Sequence, residues 1–254
     1  MRLKSYVINL EKSTVRRQYM QELLSGCEFL DLDFLKAIDG RLLSEEERRA
    51  AFDFNRCLSL YGKELNAGEV GCALSHRKAY AQLLQSDQPY ALILEDDITI
   101  IRDLHALDLE QVDRTLNHKR PRVLMLSGDY WFYAKRESVV RLFSAAGAYA
   151  YVINRAAAQT ILAMNPPCCV ADDWMFYKRK GLQLFAVHPY MIDANMNMGM
   201  LGSDVKQDSW SLDRSRMSLK EIVVGALTGI VKRLFKLMGH FEAKVRILNN
   251  EIVK

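Results

Sequence analysis

Five apolar residues in a row, Tyr90-Ala91-Leu92-Ile93-Leu94, run directly into three acids, Glu95-Asp96-Asp97, and this junction limits the fold more than any other part of the chain. Successive residues of a strand point to opposite faces, so a run apolar at every position has no face to give to water and must be covered on both sides. The turn signal Asp87-Gln88-Pro89 leads into it. Arg122 to Leu126 reads the same way and stops at Ser127-Gly128-Asp129, while Tyr6 to Leu10, Phe34 to Ile38, Gly147 to Ile153 and Leu182 to Val187 supply further strand-length runs. Helical patterns lie between them at Val15 to Leu24, Val70 to Leu84 and Arg155 to Met164. That alternation predicts an α/β chain, a Rossmann-type mostly parallel sheet flanked by helices.

Helix starts are written into the sequence as caps. Ser44-Glu45-Glu46-Glu47 and Asn66-Ala67-Gly68-Glu69 each place a capping oxygen three residues before a Glu, which predicts helices from Glu45 to Phe52 and through Leu84. Asp172-Asp173-Trp174 opens another to Arg179. Asn195 to Trp210 reads as irregular chain, and Leu219 onward as one or two helices.

With 254 residues, half of them apolar, the chain can bury one substantial core. No stretch approaches the roughly 18 consecutive apolar residues that span a bilayer. Met1 to Leu10 lacks the apolar centre of a secretory signal and reads as a first strand. Five cysteines, an odd number, suit reduced thiols in a cytoplasm. The net charge of +4 is unevenly spread: Arg214 to Lys254 holds nine Lys or Arg against three Glu, leaving Met1 to Asp213 with 26 basic against 28 acidic residues. No basic, aromatic-interleaved run precedes Arg214, which argues against a nucleic-acid partner. We therefore expect a body over 1–213 and a basic amphipathic helical tail over 214–254. Leu219, Ile222, Val223, Leu227, Ile230 and Leu234 recur at three- and four-residue steps. This predicts a peripheral helix on an anionic membrane surface, with docking on the body or homodimer formation as the other uses of such a stripe.

In an open α/β sheet, ligands bind beyond the carboxyl ends of the strands. Here those ends carry Asn9, Asp39, Glu95 to Asp97, and Asp129. Three adjacent carboxylates repel one another unless a cation, a basic side chain or water compensates. A hard divalent cation would take their oxygens together with those of a diphosphate. A solvated acidic turn is the plainer reading of any such run taken alone.

Several ordered segments resemble glycosyltransferase family 25, the lipooligosaccharide galactosyltransferases of Gram-negative bacteria. They are Val7-Ile8-Asn9-Leu10 with Arg16-Arg17; Ala37-Ile38-Asp39-Gly40; Gly68-Glu69-Val70-Gly71-Cys72 with Leu74-Ser75-His76; Leu92 to Asp97; Gly147 to Ile153 with Arg155-Ala156-Ala157; and Asp172-Asp173-Trp174. The resemblance covers roughly Met1 to Val205. It implies a GT-A-like fold, a uridine diphosphate sugar donor, commonly galactose, a lipid-linked lipopolysaccharide acceptor, inversion at the anomeric carbon, and Mn2+ or Mg2+ as cofactor. It places Glu95 and Asp97 at the metal, Asn9, Arg16, Asp39, Glu95 and His76 at the donor, and Glu69, Ser75, Asp129 and Trp174 near the acceptor or behind these groups.

Inverting transfer also needs a base for the acceptor hydroxyl. Asp173 is the first candidate and Asp172 the second, with Asp129 behind them, although paired acids at a helix start also suit the helix dipole. Trp174 suits either stacking on a sugar or burial in a core, His76 either ligand binding or a structural role, and His188 an outlying metal ligand. Met196, Met198 and Met200 suit an adaptable acceptor groove or core filling. A glycoside hydrolase would use two carboxyl groups without nucleotide or metal, and a non-catalytic membrane scaffold would need only the tail. Dependence on a sugar nucleotide separates these from transfer.

Overall fold

The computed structural model describes residues 2–134, 138–195, 212–243, 246–248 and 251–253. The segment holding Met196, Met198 and Met200 lies outside the described residues. The chain opens with β1 (Leu3–Asn9), α1 (Thr14–Leu23) and β2 (Leu30–Lys36), then α2 (Glu45–Ala51), α3 (Phe54–Tyr61), α4 (Ala67–Gln85) and β3 (Tyr90–Glu95). Next come β4 (Ile98–Ile100), α5 (Leu109–Leu116), β5 (Arg122–Met125), β6 (Tyr130–Phe132), β7 (Val139–Ala145) and β8 (Ala150–Asn154). They are followed by α6 (Arg155–Leu162), α7 (Trp174–Arg179), β9 (Gln183–Val187) and β10 (Ile192–Ala194). The C-terminal part holds α8 (Leu219–Leu237), β11 (Phe241–Glu242) and the paired strands β12 (Arg246–Leu248) and β13 (Glu251–Val253).

Nine strands form one sheet in the order β11-β6-β7-β9-β5-β8-β3-β1-β2. Six of the nine, β1, β2, β3, β5, β6 and β9, run one way, and β7, β8 and β11 run against them. The sheet is thus mostly parallel in direction yet mixed in pairing, because β8 lies antiparallel between β3 and β5. An all-apolar run such as β8 reads the same in either direction, so its sequence carries no sign of this reversal.

β3 is central and buried on both faces, as its composition requires. Ala91 and Ile93 join Tyr151 and Ile153 of β8 in a core under α4, α6 and α7, while Leu92 and Leu94 join Ala150 and Val152 in a second core under α1 and α5. Both predicted capping boxes are formed: Ser44 Oγ accepts from Glu47 N–H, and Asn66 Oδ1 from Glu69 N–H, with each Glu bonded back to its cap. Helices α3 and α5 were not expected. Each is eight residues long, and each starts on an aspartate cap, Asp53 or Asp108, which is the signal that marks them. The tail is one helix followed by strands, and β11 pairs with β6, so main-chain hydrogen bonds join it to the sheet edge.

Candidate functional site

The carboxyl ends of β1, β2 and β3 converge with α4 on one cleft that opens to solvent. Arg16, Asp39, Ser75, His76, Glu95 and Asp97 all line it. Its floor depends on a close backbone approach. Cβ atoms added at Gly71 would sit 2.6 Å from Gly40 N and Ile38 O, and one at Gly40 would collide with the Ala67 carbonyl, so only glycines let α4 lie against the loop after β2. Ser75 ties the same loop down: its hydroxyl donates to Gly71 O at 2.6 Å and accepts from Ile38 N–H at 2.8 Å.

The three acids at the end of β3 have separate tasks. Asp96 is buried; it accepts from Asn9 Nδ2 at 2.7 Å and from Arg16 at 2.9 Å. Burial pushes its carboxyl up while Asn9 and Arg16 pull it back. It therefore locks the ends of β1 and β3 to α1. Asp97 is half-buried, with Arg16 3.4 Å from Oδ2, and Oδ1 has no hydrogen-bond partner among the described residues. Burial first, and the Glu95 carboxylate second, push the Asp97 carboxyl up to about 7. Glu95 Oε1 lies 3.2 Å from His76 Nε2. Behind it, His76 Nδ1 meets the Tyr151 hydroxyl at 2.7 Å, and Tyr151 meets the Tyr80 hydroxyl at 2.6 Å, a row that runs from the core to the cleft.

Asp39 closes the other wall. It accepts from Lys12 at 2.7 Å and from Arg41 at 2.8 and 3.0 Å, and the Arg41 guanidinium holds its carboxyl well below the usual range. Lys12, Arg16 and Arg41 thus set basic groups around the acids, a pattern suited to a ligand carrying phosphate and a cation together.

Two donor sets can hold a metal. Glu95 and Asp97 offer hard oxygens, one of them buried and unpartnered. Cys72 Sγ, a His76 ring nitrogen and a Glu95 oxygen also lie within 4.8 Å of one another. Both nitrogens of His76 already have partners. The carboxylate pair therefore fits a hard divalent cation better.

Other expected residues do structural work. Glu69 caps α4 and faces Lys63 at 3.5 Å. Trp174 is buried, meets Tyr151 edge to face with centroids 5.0 Å apart and donates to Gly147 O at 2.7 Å, so it packs in the core and does not line the cleft. Asp129 adopts φ +61° at the turn before β6, where its carbonyl accepts from Ala146 N–H. Burial lowers the ammonium pKa of Lys232 in α8, and Asp173 and Asp129 draw it back up. His188 pairs with Tyr130 at 2.9 Å and does not line the cleft.

The two candidate bases differ. Asp173 Oδ1 accepts from Phe176 N–H at 2.9 Å and caps α7, while Oδ2 accepts from Tyr61. Asp172 accepts from Gly147 N–H at 3.1 Å, and burial followed by the Glu95 charge pushes its carboxyl up. Of the pair, Asp172 therefore belongs electrostatically to the acid cluster. Cys72, Arg41 and Tyr151 were given no role from sequence. Cys72 precedes His76 by one helical turn, and Arg41 follows the Asp39-Gly40 turn, so both were recoverable by spacing; Tyr151 lies in an unbroken apolar strand and gave no sign.

The sequence profile of glycosyltransferase family 25, described as LPS biosynthesis protein, matches residues 2–176. The chain belongs to that family, and the α/β architecture expected of it, a sheet mostly parallel in direction with helices on both faces, is the one found. A glycosyltransferase 25 family member of Aedes aegypti is 34% identical over 96 residues, 37% of this chain but 16% of that protein. The chain thus spans a small part of the insect relatives it matches. The lacto-N-neotetraose biosynthesis glycosyltransferase LgtE of Neisseria meningitidis serogroup B is 23% identical over 260 residues, covering 86% of both chains. Among solved structures, the galactosyltransferase LgtC with donor and acceptor sugar analogs aligns over 90% of this chain at 10% identity and a TM-score of 0.35, which bears on neither donor nor acceptor.

Proposed function

We propose that this glycosyltransferase moves a hexose, galactose in the first instance, from a uridine diphosphate donor to a lipid-linked lipopolysaccharide or lipooligosaccharide saccharide at the inner face of the bacterial membrane, with inversion. The observation that carries the reading is the buried, unpartnered Asp97 Oδ1 beside Glu95 at the end of the central strand, in a cleft that Arg16 and Arg41 also line. Glu95 and Asp97 hold Mn2+ or Mg2+, which when bound neutralises charge on the diphosphate. Arg16 and Arg41 face the phosphates, and Asn9 and Asp96 fix the loop that presents them.

Asp172 takes the proton of the acceptor hydroxyl as its oxygen bonds to the anomeric carbon. The bond from that carbon to the diphosphate oxygen breaks with its electron pair, and the nucleoside diphosphate leaves. A raised carboxyl pKa makes Asp172 a stronger base than a solvated aspartate, which suits the role. The similarity, over 86% of both chains, to a glycosyltransferase named for lacto-N-neotetraose biosynthesis supports a saccharide acceptor. Purified protein, Mn2+ and a panel of uridine and guanosine diphosphate sugars, read as released nucleotide, test the proposal. Turnover restricted to guanosine donors, or hydrolysis of a glycoside without any nucleotide, would remove it.

A further inference from the structure

Helix α8 is clamped to the body by one side. Ser218 N–H bonds Ser59 O at 3.0 Å, Glu221 pairs with Arg179 at 2.9 Å, and Lys232 lies 4.2 Å from the Trp131 ring centre. Phe235 stacks on Phe143 with centroids 5.1 Å apart, and beyond the helix Phe132 N–H bonds His240 O at 3.1 Å. The helix therefore has a fixed orientation on the sheet.

Its other side is bare and apolar. Leu219, Val223, Leu227, Ile230, Leu234 and Leu237 are 48% to 84% exposed, and their spacing puts them on one continuous stripe. Of eleven large hydrophobics exposed among the described residues, eight lie between Leu212 and Met238. At about 1.5 Å per residue the stripe is about 27 Å long. Surface apolar residues scattered singly need no explanation, but a contiguous stripe of this size does.

Charge identifies the occupant. The segment from Arg214 carries nine basic residues against three acids, and the two acids whose side chains are described turn inward, Glu221 to Arg179 and Glu242 to His188. On the outward side, exposed Lys220 and Arg233 flank the stripe at about 100° per residue, one on each edge, with Lys236 behind Arg233. A second copy of the helix would bring basic edges against basic edges. We infer that α8 is a rigid docking helix for an anionic phospholipid bilayer, its stripe lying in the interface with Lys220, Arg233 and Lys236 at the headgroups. This deepens the lipid-linked acceptor reading by naming the surface that carries the enzyme to its acceptor. Because the helix cannot swivel on the sheet, docking also sets how the cleft faces the bilayer.

Sedimentation of the full chain with phosphatidylcholine vesicles, with and without phosphatidylglycerol, tests it. The wild type is expected to pellet with the anionic vesicles and to be released by salt. The double variant Ile230→Glu, Leu234→Glu, at exposed positions, is expected to lose on the order of tenfold or more in partitioning, with unchanged thermal unfolding. Wild type remaining in the supernatant, or a variant binding as well as wild type, overturns the inference. So does analytical ultracentrifugation showing a dimer that the variant converts to monomer. Release of nucleotide with a water-soluble acceptor is measured in parallel: its failure alone sinks the functional reading, and vesicle binding then still stands.

Discussion

The Tyr61 hydroxyl donates to Asp173 Oδ2 at 2.8 Å, so a carboxylate that caps α7 through its other oxygen is also bound to α3, 112 residues away. Both oxygens are in structural use. Asp173→Ala is therefore expected to cost about 0.5–2 kcal/mol for the lost cap and up to a further ~1–3 kcal/mol for the stranded Tyr61 hydroxyl, read as a lower urea midpoint. Asp173→Asn keeps a capping oxygen and should turn over within several-fold of wild type. A hundredfold or larger fall in kcat for that variant, at unchanged stability, would return the base role to Asp173.

Asp172→Asn should separate activity from stability. Turnover is expected to fall by roughly 10² to 10⁴ as the base is lost. Stability should move the other way. The folded carboxyl titrates above its unfolded value, so the burial penalty is absent below about pH 3.9 and grows as pH rises through the folded pKa. Asparagine removes that penalty and can keep the bond from Gly147 N–H. The gain in Tm over wild type should therefore be larger at neutral pH than near pH 4; a gain of equal size at both would show that ionisation of Asp172 is not its source.

How far the sequence reveals this site depends on which forces leave a local mark. The strand ending at Glu95, the capping boxes at Ser44 and Asn66, and the gathering of Asn9, Asp39 and Glu95 were legible because periodicity, caps and strand ends are local properties, whereas Arg16, on a helix, joined them only through the family resemblance. The engagement of both Asp173 oxygens was not, since its partner Tyr61 lies 112 residues away and a long-range side-chain bond leaves no local mark. The burial of Trp174 was one of the two readings open to it, and the turn at Gly147, whose carbonyl accepts from the indole N–H, goes with that one. The antiparallel insertion of β8 was hidden for another reason: a strand buried on both faces has no polarity to read.

Chelation should abolish transfer, and added Mn2+ should restore it. Asp97→Asn, which keeps the shape but removes the charge, is expected to do the same with the fold intact, as judged by circular dichroism and a melting point at neutral pH no lower than that of the wild type, since burial also penalises this carboxylate. An undiminished rate in excess chelator would show that the Asp97 oxygen serves the donor without a cation.

Gly71→Ala should test the close approach of α4 to the loop after β2. The added methyl meets Gly40 N and Ile38 O at 2.6 Å, both main-chain atoms that cannot swing aside. Overpacking of this kind costs about 1–3 kcal/mol. Because the displaced loop carries Asp39 and Arg41, KM for the donor should rise more than kcat falls. Unchanged donor KM in a destabilised variant would detach that loop from donor binding.

The row of hydroxyls and imidazole from Tyr80 to Glu95 also limits how the cleft can grip a cation. Glu95 reaches the solvent-facing end of that row with Oε1 already held by His76, and the imidazole is held in turn by Tyr151. Holding Oε1 in this way sets the orientation in which Glu95 presents its carboxylate to the cleft. Tyr80 and Tyr151, neither of which lines the cleft, thereby act on its donor atoms from inside the core.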